Sequence, residues 1–309
     1  MSLKGRPEDE YRSAQRAGGR GVIDFRVRPP VGGFLDMLLY KDADRRDRIT
    51  RMHGFEPAVS AVAQSIDLLL AEMDAAGVTL GLLPARFSDR LGSIPNDEVL
   101  RIVDAHPDRF VAAAAVDPTD RRKAVAEIEE AVANGFRAIN FEPGSYPAPM
   151  RADDRRLYPI YGCCEDLRIP IIVMAGGSAG PDLDYTHPVS IDHVAADFPS
   201  LPIVVSHGGW PWVHGILHVA YRRANVYISA DQYLANMAGM HDYIAAINGF
   251  LGDRFIYGSS YPFLPVDACL DWFRSLPIDA SVMDRVLYEN AAQLLGLSSA
   301  PAGAAAQSK

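Results

Sequence analysis

Two arginines, Arg26 and Arg28, stand two residues apart where the run at 21–27 (GVIDFRV) ends. Side chains alternate along a strand, so positions i and i+2 share a face. Two guanidinium groups in one partly dry space are costly unless anions meet them. Asp24, Glu142 and Asp231 are the internal candidates. Positive potential left over would draw a carboxylate, phosphate or sulfonate on a small substrate. His207 is the residue type that titrates near neutrality, and Gly208 and Gly209 after it allow backbone to approach a ligand. It is the first choice as general acid or base, with Asp231 and then Glu142 as the other catalytic candidates. Either acid would equally serve to neutralise an arginine, and the arginines could simply plug the interior through salt bridges. Tyr185, His187, Trp210, Ser260 and Tyr261 complete a substrate-binding set with Arg26 and Arg28. Their rings suit an apolar wall, while Trp212 fits helix packing as well.

Eight short aliphatic runs must position these groups. They begin at 21, 78, 110, 136, 170, 202, 225 and 254, and each is followed by a helix-compatible segment. Near-continuous apolar strands alternating with amphipathic helices predict an α/β chain with a parallel sheet under helices. Eight repeats closing on themselves give a single-domain (β/α)8 TIM barrel at 21–297. An open doubly wound sheet would show a Gly-rich phosphate turn after the first strand, where Arg28, Pro29 and Pro30 stand instead. In a barrel, chemistry gathers at the carboxyl ends of the strands. Those ends carry Glu142, Met174, His207, Asp231 and the triplet Ser259, Ser260 and Tyr261. On the first strand, Asp24, Arg26 and Arg28 are predicted to face the axis, with Ile23, Phe25 and Val27 against the helices.

Helix punctuation is clear in places. A helix predicted from an N-capping Ser60 ends at Gly77, and 281–296 reads as a closing helix. About 32 residues separate the first strand from Ser60, where loops of about 2 to 6 are usual. The mixed-charge stretch inside it reads first as a solvated helix face, with a lid or an arm for a homo-oligomer as the alternative. The ends at 1–20 and 298–309 are polar or small-residue segments expected to be disordered.

The 309 residues carry 49% hydrophobic and 22% charged side chains, so a sizeable core is expected. A net charge of -9 disfavours nucleic acid as a partner. No apolar run approaches the roughly 20 residues that cross a bilayer, and the start shows no hydrophobic signal segment. A cytoplasmic protein without a membrane partner is the expectation. Cys163, Cys164 and Cys269 lack metal-type spacing and read as reduced thiols.

The motifs IDFRVRP, SHGGWPW, NVYISA, YGSSYPF and LYENAAQLLGL together resemble the amidohydrolase-related family of the amidohydrolase superfamily, which includes decarboxylases and lactonases. The resemblance implies a barrel and, in most members, a divalent metal held by two first-strand histidines, a fifth-strand histidine, often the sixth-strand histidine and an eighth-strand aspartate. Here those positions hold Arg26, Arg28, Met174, His207 and Ser260. A guanidinium offers no lone pair and repels a cation, so no metal and no other cofactor is expected. The resemblance and the charge pattern together point to metal-independent hydrolysis of a small anionic lactone or ester. Arg26 and Arg28 would hold the acid group or the oxyanion, and His207 or Asp231 would activate water. A decarboxylase or other lyase is the alternative, and a non-catalytic anion-binding barrel the third.

Overall fold

The computed structural model describes residues 21–88 and 92–297, so the expectations for 1–20 and 298–309 lie outside the described residues. The apolar runs form β1 (Val22–Asp24), β2 (Val78–Pro84), β3 (Phe110–Ala114), β4 (Ala138–Phe141), β5 (Ile171–Met174), β6 (Ile203–Ser206) and β7 (Val226–Ser229). These make one parallel sheet in which each strand bonds to the next in chain order. Sequential parallel neighbours require crossovers, and helices on the outer face supply them. Alternate strand residues sort into two cores. Phe110, Ile139, Val173 and Val205 pack with helix residues such as Leu69 and Met73. Leu82, Val111, Ala138, Ile172 and Val204 form a smaller cluster on the opposite face, with Ala291, Ala292 and Leu295 of the C-terminal helical segment. Both faces are buried, which is why the strands read as continuous apolar runs.

The eighth run departs from expectation. Residues 254–261 form isolated bridges instead of a regular strand, Phe255 with Ile228 and Tyr261 with Val27. Ile256 N donates to Ile228 O at 2.9 Å on one side, and Phe25 N donates to Tyr257 O at 3.1 Å on the other. Gly258, two serines and Pro262 interrupt the β-branched pattern that would sustain a ladder. The first strand is also shorter than predicted. It stops at Asp24, whose carboxylate accepts Arg26 N at 3.1 Å and turns the chain. Strict alternation therefore fails there: Ile23 and Phe25 join the smaller cluster, whereas Val27 joins the sheet–helix layer.

The connection at 29–65 is ordered. It holds α1 (Leu38–Lys41), α2 (Ala43–Met52) and α3 (Val59–Ala63), followed by α4 (Ile66–Ala76). The single helix predicted from Ser60 is broken at Gln64, which is left-handed at φ 50°. The working cap is Ser65, which accepts Leu68 N at 3.3 Å. Ser60 is buried, donating to Glu72 at 2.5 Å and lying 2.7 Å from the Tyr261 hydroxyl. Nor is α2 simply a solvated face, because Arg46 and Thr50 are buried. Among the described residues no helix is long and apolar enough to cross a membrane, and the three cysteines are free.

Candidate active site

A cavity of about 180 Å3 opens at the carboxyl ends of the strands. Its floor carries Arg28, Arg86, Met174 and His207, its side Tyr233 and Gln232, and its roof residues of α1 and α2. Three residues at this end hold left-handed backbone: His207 (φ 61°), Asp231 (φ 43°) and Ser260 (φ 60°). Such conformations cost of order 1 kcal/mol or more outside glycine, and here they recur just beyond β6, β7 and the eighth run.

His207 and Asp231 form a dyad. The His207 Nδ1 lies 2.9 Å from one Asp231 oxygen and 2.8 Å from the other, and the His207 backbone N–H donates to the same carboxylate at 3.3 Å. A carboxylate only accepts, so Nδ1 carries the proton and Nε2 keeps its lone pair. Burial pushes the imidazole pKa below its ordinary value, Asp231 opposes this, and Arg26 and Arg28 add to the depression. The depressed pKa favours the neutral ring at pH 7, and the ring lines the cavity. The glycines after His207 serve packing more than ligand approach. A Cβ on Gly208 would lie 2.6 Å from the Tyr243 hydroxyl, and one on Gly209 2.7 Å from Ile216.

Glu142 stands at the centre of a second constellation. Its Oε1 accepts Arg86 Nε at 3.0 Å and Arg86 Nη2 at 2.9 Å, with Arg26 Nη2 at 3.5 Å and Asn140 Nδ2 at 3.4 Å. Burial raises this carboxyl, and Arg86, Arg26 and Arg28 outweigh it, leaving the pKa at about 2. Glu142 is therefore ionised and engaged. Among the described residues Arg28 has no carboxylate of its own, and its Nη1 reaches only the Ser260 carbonyl and hydroxyl, both at 3.4 Å. Burial, then Arg26 and Arg86, drive its pKa well down. A guanidinium does not lose its proton under such pressure, so the pressure is a demand for an anion. Asp24 does not supply it. Burial raises its pKa to about 6, and it is spent on Ser259 N at 2.9 Å and the Ser259 hydroxyl at 2.5 Å.

Of the residues predicted from sequence, Arg28 and His207 line the cavity. Arg26, Glu142, Asp231 and Ser260 lie directly behind it, each touching another member of the group. Trp210 stacks on Tyr233 at 5.4 Å, and so backs the wall. Three fall elsewhere. Tyr261 is buried with its hydroxyl on Ser60. The exposed His187 caps the following helix and packs on Trp212 at 5.1 Å. Tyr185 packs over Gly180. Trp212 itself donates to Thr186 at 3.2 Å, a packing role. Sequence reasoning missed Arg86, although the alternation of Leu82 and Pro84, carried two residues past the end of β2, would have found it. Tyr233 and the roof carried no such signal.

The amidohydrolase family profile matches residues 23–297. The chain belongs to the amidohydrolase family. An uncharacterised TIM-barrel protein of Bordetella bronchiseptica is 47% identical and superposes with a TM-score of 0.87, over 90% of this chain and 99% of that one. A 2,6-dihydroxybenzoate decarboxylase from Rhizobium (18% identity, TM-score 0.68, 90% and 99% covered) and a 5-carboxyvanillate decarboxylase from Sphingomonas paucimobilis (19%, 0.62, 91% and 100%) share the fold. A 2-keto-4-carboxy-3-hexenedioate hydratase of a Sphingobium species is 28% identical over 134 residues, 37% of this chain. The match spans 39% of that protein's length.

The divalent metal that most members of this amidohydrolase family carry does not fit the residues present. Two of the corresponding positions are cations, Arg26 and Arg28. The Ser260 hydroxyl faces Arg28 and Met174 is a poor donor to a hard divalent ion, so His207 is the one ligand type left among the five positions. Among the described residues, no three His, Cys, Asp or Glu side chains gather as a metal site.

Proposed function

We propose that this amidohydrolase-family chain is a metal-independent lyase acting on a small carboxylated substrate, with the 254–261 run as the eighth stave of a (β/α)8 barrel. One observation carries the chemistry: the His207 imidazole, held through Nδ1 by Asp231, lines the same cavity as Arg28, a cation with no carboxylate of its own among the described residues. A cavity of about 150 Å3 accepts benzene, so one of about 180 Å3 suits a ring or short chain bearing acid groups. Arg28 binds the substrate carboxylate. His207 Nε2 takes the proton from the carbon beside it, the electron pair passes toward that carboxylate under the field of Arg28, and a β-hydroxyl leaves as water with the proton returned. Run in reverse, water adds across the double bond. Asp231 keeps the tautomer and stabilises the imidazolium formed midway.

The hydratase among the relatives supports this reading over the lactonase reading of the sequence alone. Decarboxylation is the neighbouring form of the same lyase. There the C–C bond breaks to carbon dioxide and the carbon pair takes a proton from Nε2–H, which requires the imidazolium, the form that burial disfavours. Hydrolysis of a carboxylated lactone keeps one supporting observation, since a neutral base activates water equally well. Proton NMR of small hydroxy, unsaturated and lactone acids incubated with the protein in D2O separates these outcomes. Deuterium at carbon with gain or loss of water supports the proposal. Release of carbon dioxide moves it to decarboxylation, ring opening without C–D formation to hydrolysis. Binding with no turnover favours an anion-binding barrel.

A further inference from the structure

The roof contributes two adjacent arginines that differ in what holds them. Arg46 is buried and fully used: Nε meets Asp47 at 2.8 Å, Nη1 donates to Ala61 O at 3.2 Å, and the guanidinium lies 5.9 Å from the centre of the Tyr40 ring. Arg45 is exposed and lines the same cavity, and no acid pairs with its guanidinium among the described residues. The nearby Asp42, which also lines the cavity, caps α2 by accepting Arg45 N through Oδ1 at 3.0 Å. At the other end stand Arg28 and Arg86, so cations face the cavity at both floor and roof. The rest of the lining includes apolar side chains from both ends, Leu38, Leu39 and Ile49 of the roof and Met174 of the floor, with Phe263.

We infer that Arg45 is a second anion anchor and that the ligand carries two acidic groups separated by an apolar spacer, one held at Arg28 and the other at Arg45. This rests on the proposed acid-anchoring floor and adds a specificity determinant from the inserted segment. A floor anchor alone would bind an acid and its half-ester alike. A roof anchor distinguishes them, because only the free diacid pairs with Arg45.

The test is calorimetric titration of the full chain with succinate, glutarate and adipate, each beside its monomethyl ester. The expected result is that at least one diacid binds about tenfold more tightly than its own half-ester, a gap that narrows with added salt. Arg45→Met should close that gap while leaving half-ester affinity within about twofold, and Arg45→Lys should restore most of it. Arg28→Met should weaken both ligands. Equal wild-type affinity for diacid and half-ester, unchanged in Arg45→Met, overturns the inference and leaves the floor anchor standing. Failure of every acid and half-ester to bind overturns both.

Discussion

The two sides of the cavity floor use the same residue types to opposite ends. Beside β2 and β4, Glu142 faces Arg86 and Arg26 through Oε1; its Oε2 has no hydrogen-bond partner among the described residues, but the guanidinium groups hold the carboxyl at a pKa of about 2, too weak a base to take a substrate proton. Beyond β6 and β7, Asp231 faces a single histidine and leaves one ring nitrogen free. A carboxylate surrounded by guanidinium groups becomes structure, whereas one that orients an imidazole becomes machinery. Acidity at a strand end therefore does not by itself mark catalysis; the partner's remaining valence does.

The largest effect that tests this contrast is on turnover. His207→Asn is expected to lower kcat about a thousandfold, and Asp231→Asn by about a hundredfold or more, with circular dichroism unchanged. Equivalent loss in Glu142→Gln without loss of stability would break the contrast.

The next effect is pH dependence. His207 acts unprotonated and its pKa is depressed. The ratio kcat/KM should rise through one ionisation below the ordinary histidine value of 6.5 and be flat at pH 7. A continued rise above pH 7 would point to another base.

Glu142 should dominate stability instead. Glu142→Gln is expected to cost about 3 kcal/mol in urea unfolding, since it leaves buried guanidinium groups without their acid. The sign follows from its depressed pKa. The folded form prefers the carboxylate, so the contribution is complete above the unfolded value near 4.5 and is lost as pH falls toward about 2. The penalty of Glu142→Gln should therefore shrink in acid.

Arg26→Met sharpens the contrast from the other partner. It removes a buried cation that repels Arg28, while Glu142 keeps Arg86. Stability should change by less than about 1 kcal/mol. A comparably small effect is expected for Tyr40→Phe, which deletes the 2.6 Å hydrogen bond from the roof to the Arg28 carbonyl. A loss of about 1 kcal/mol in thermal unfolding would fit one buried hydrogen bond.

Much of this architecture was legible because strand and helix announce themselves locally. Seven of eight runs became strands, and the eighth failed where Gly258 and paired serines weaken its pattern. Arg28 and His207 were found because a parallel strand's carboxyl end can be counted from its apolar run. Tyr261 was misplaced because counting gives position along the chain but not direction after a bend. Its ring turns away to Ser60.

The sequence by itself determined the parallel sheet and the helices that cover it, since both depend on residue identity and short-range period, whereas the guanidinium groups at metal-ligand positions are what the resemblance to the family implies. Only tertiary structure decided which acid serves which base. Arg86 and Glu142, or Ser60 and Tyr261, are 56 and 201 residues apart and meet only once the sheet has curled. It also decided that the segment at 29–65 roofs the cavity. Charge pairing in a buried site depends on distance and desolvation, quantities that no local pattern encodes.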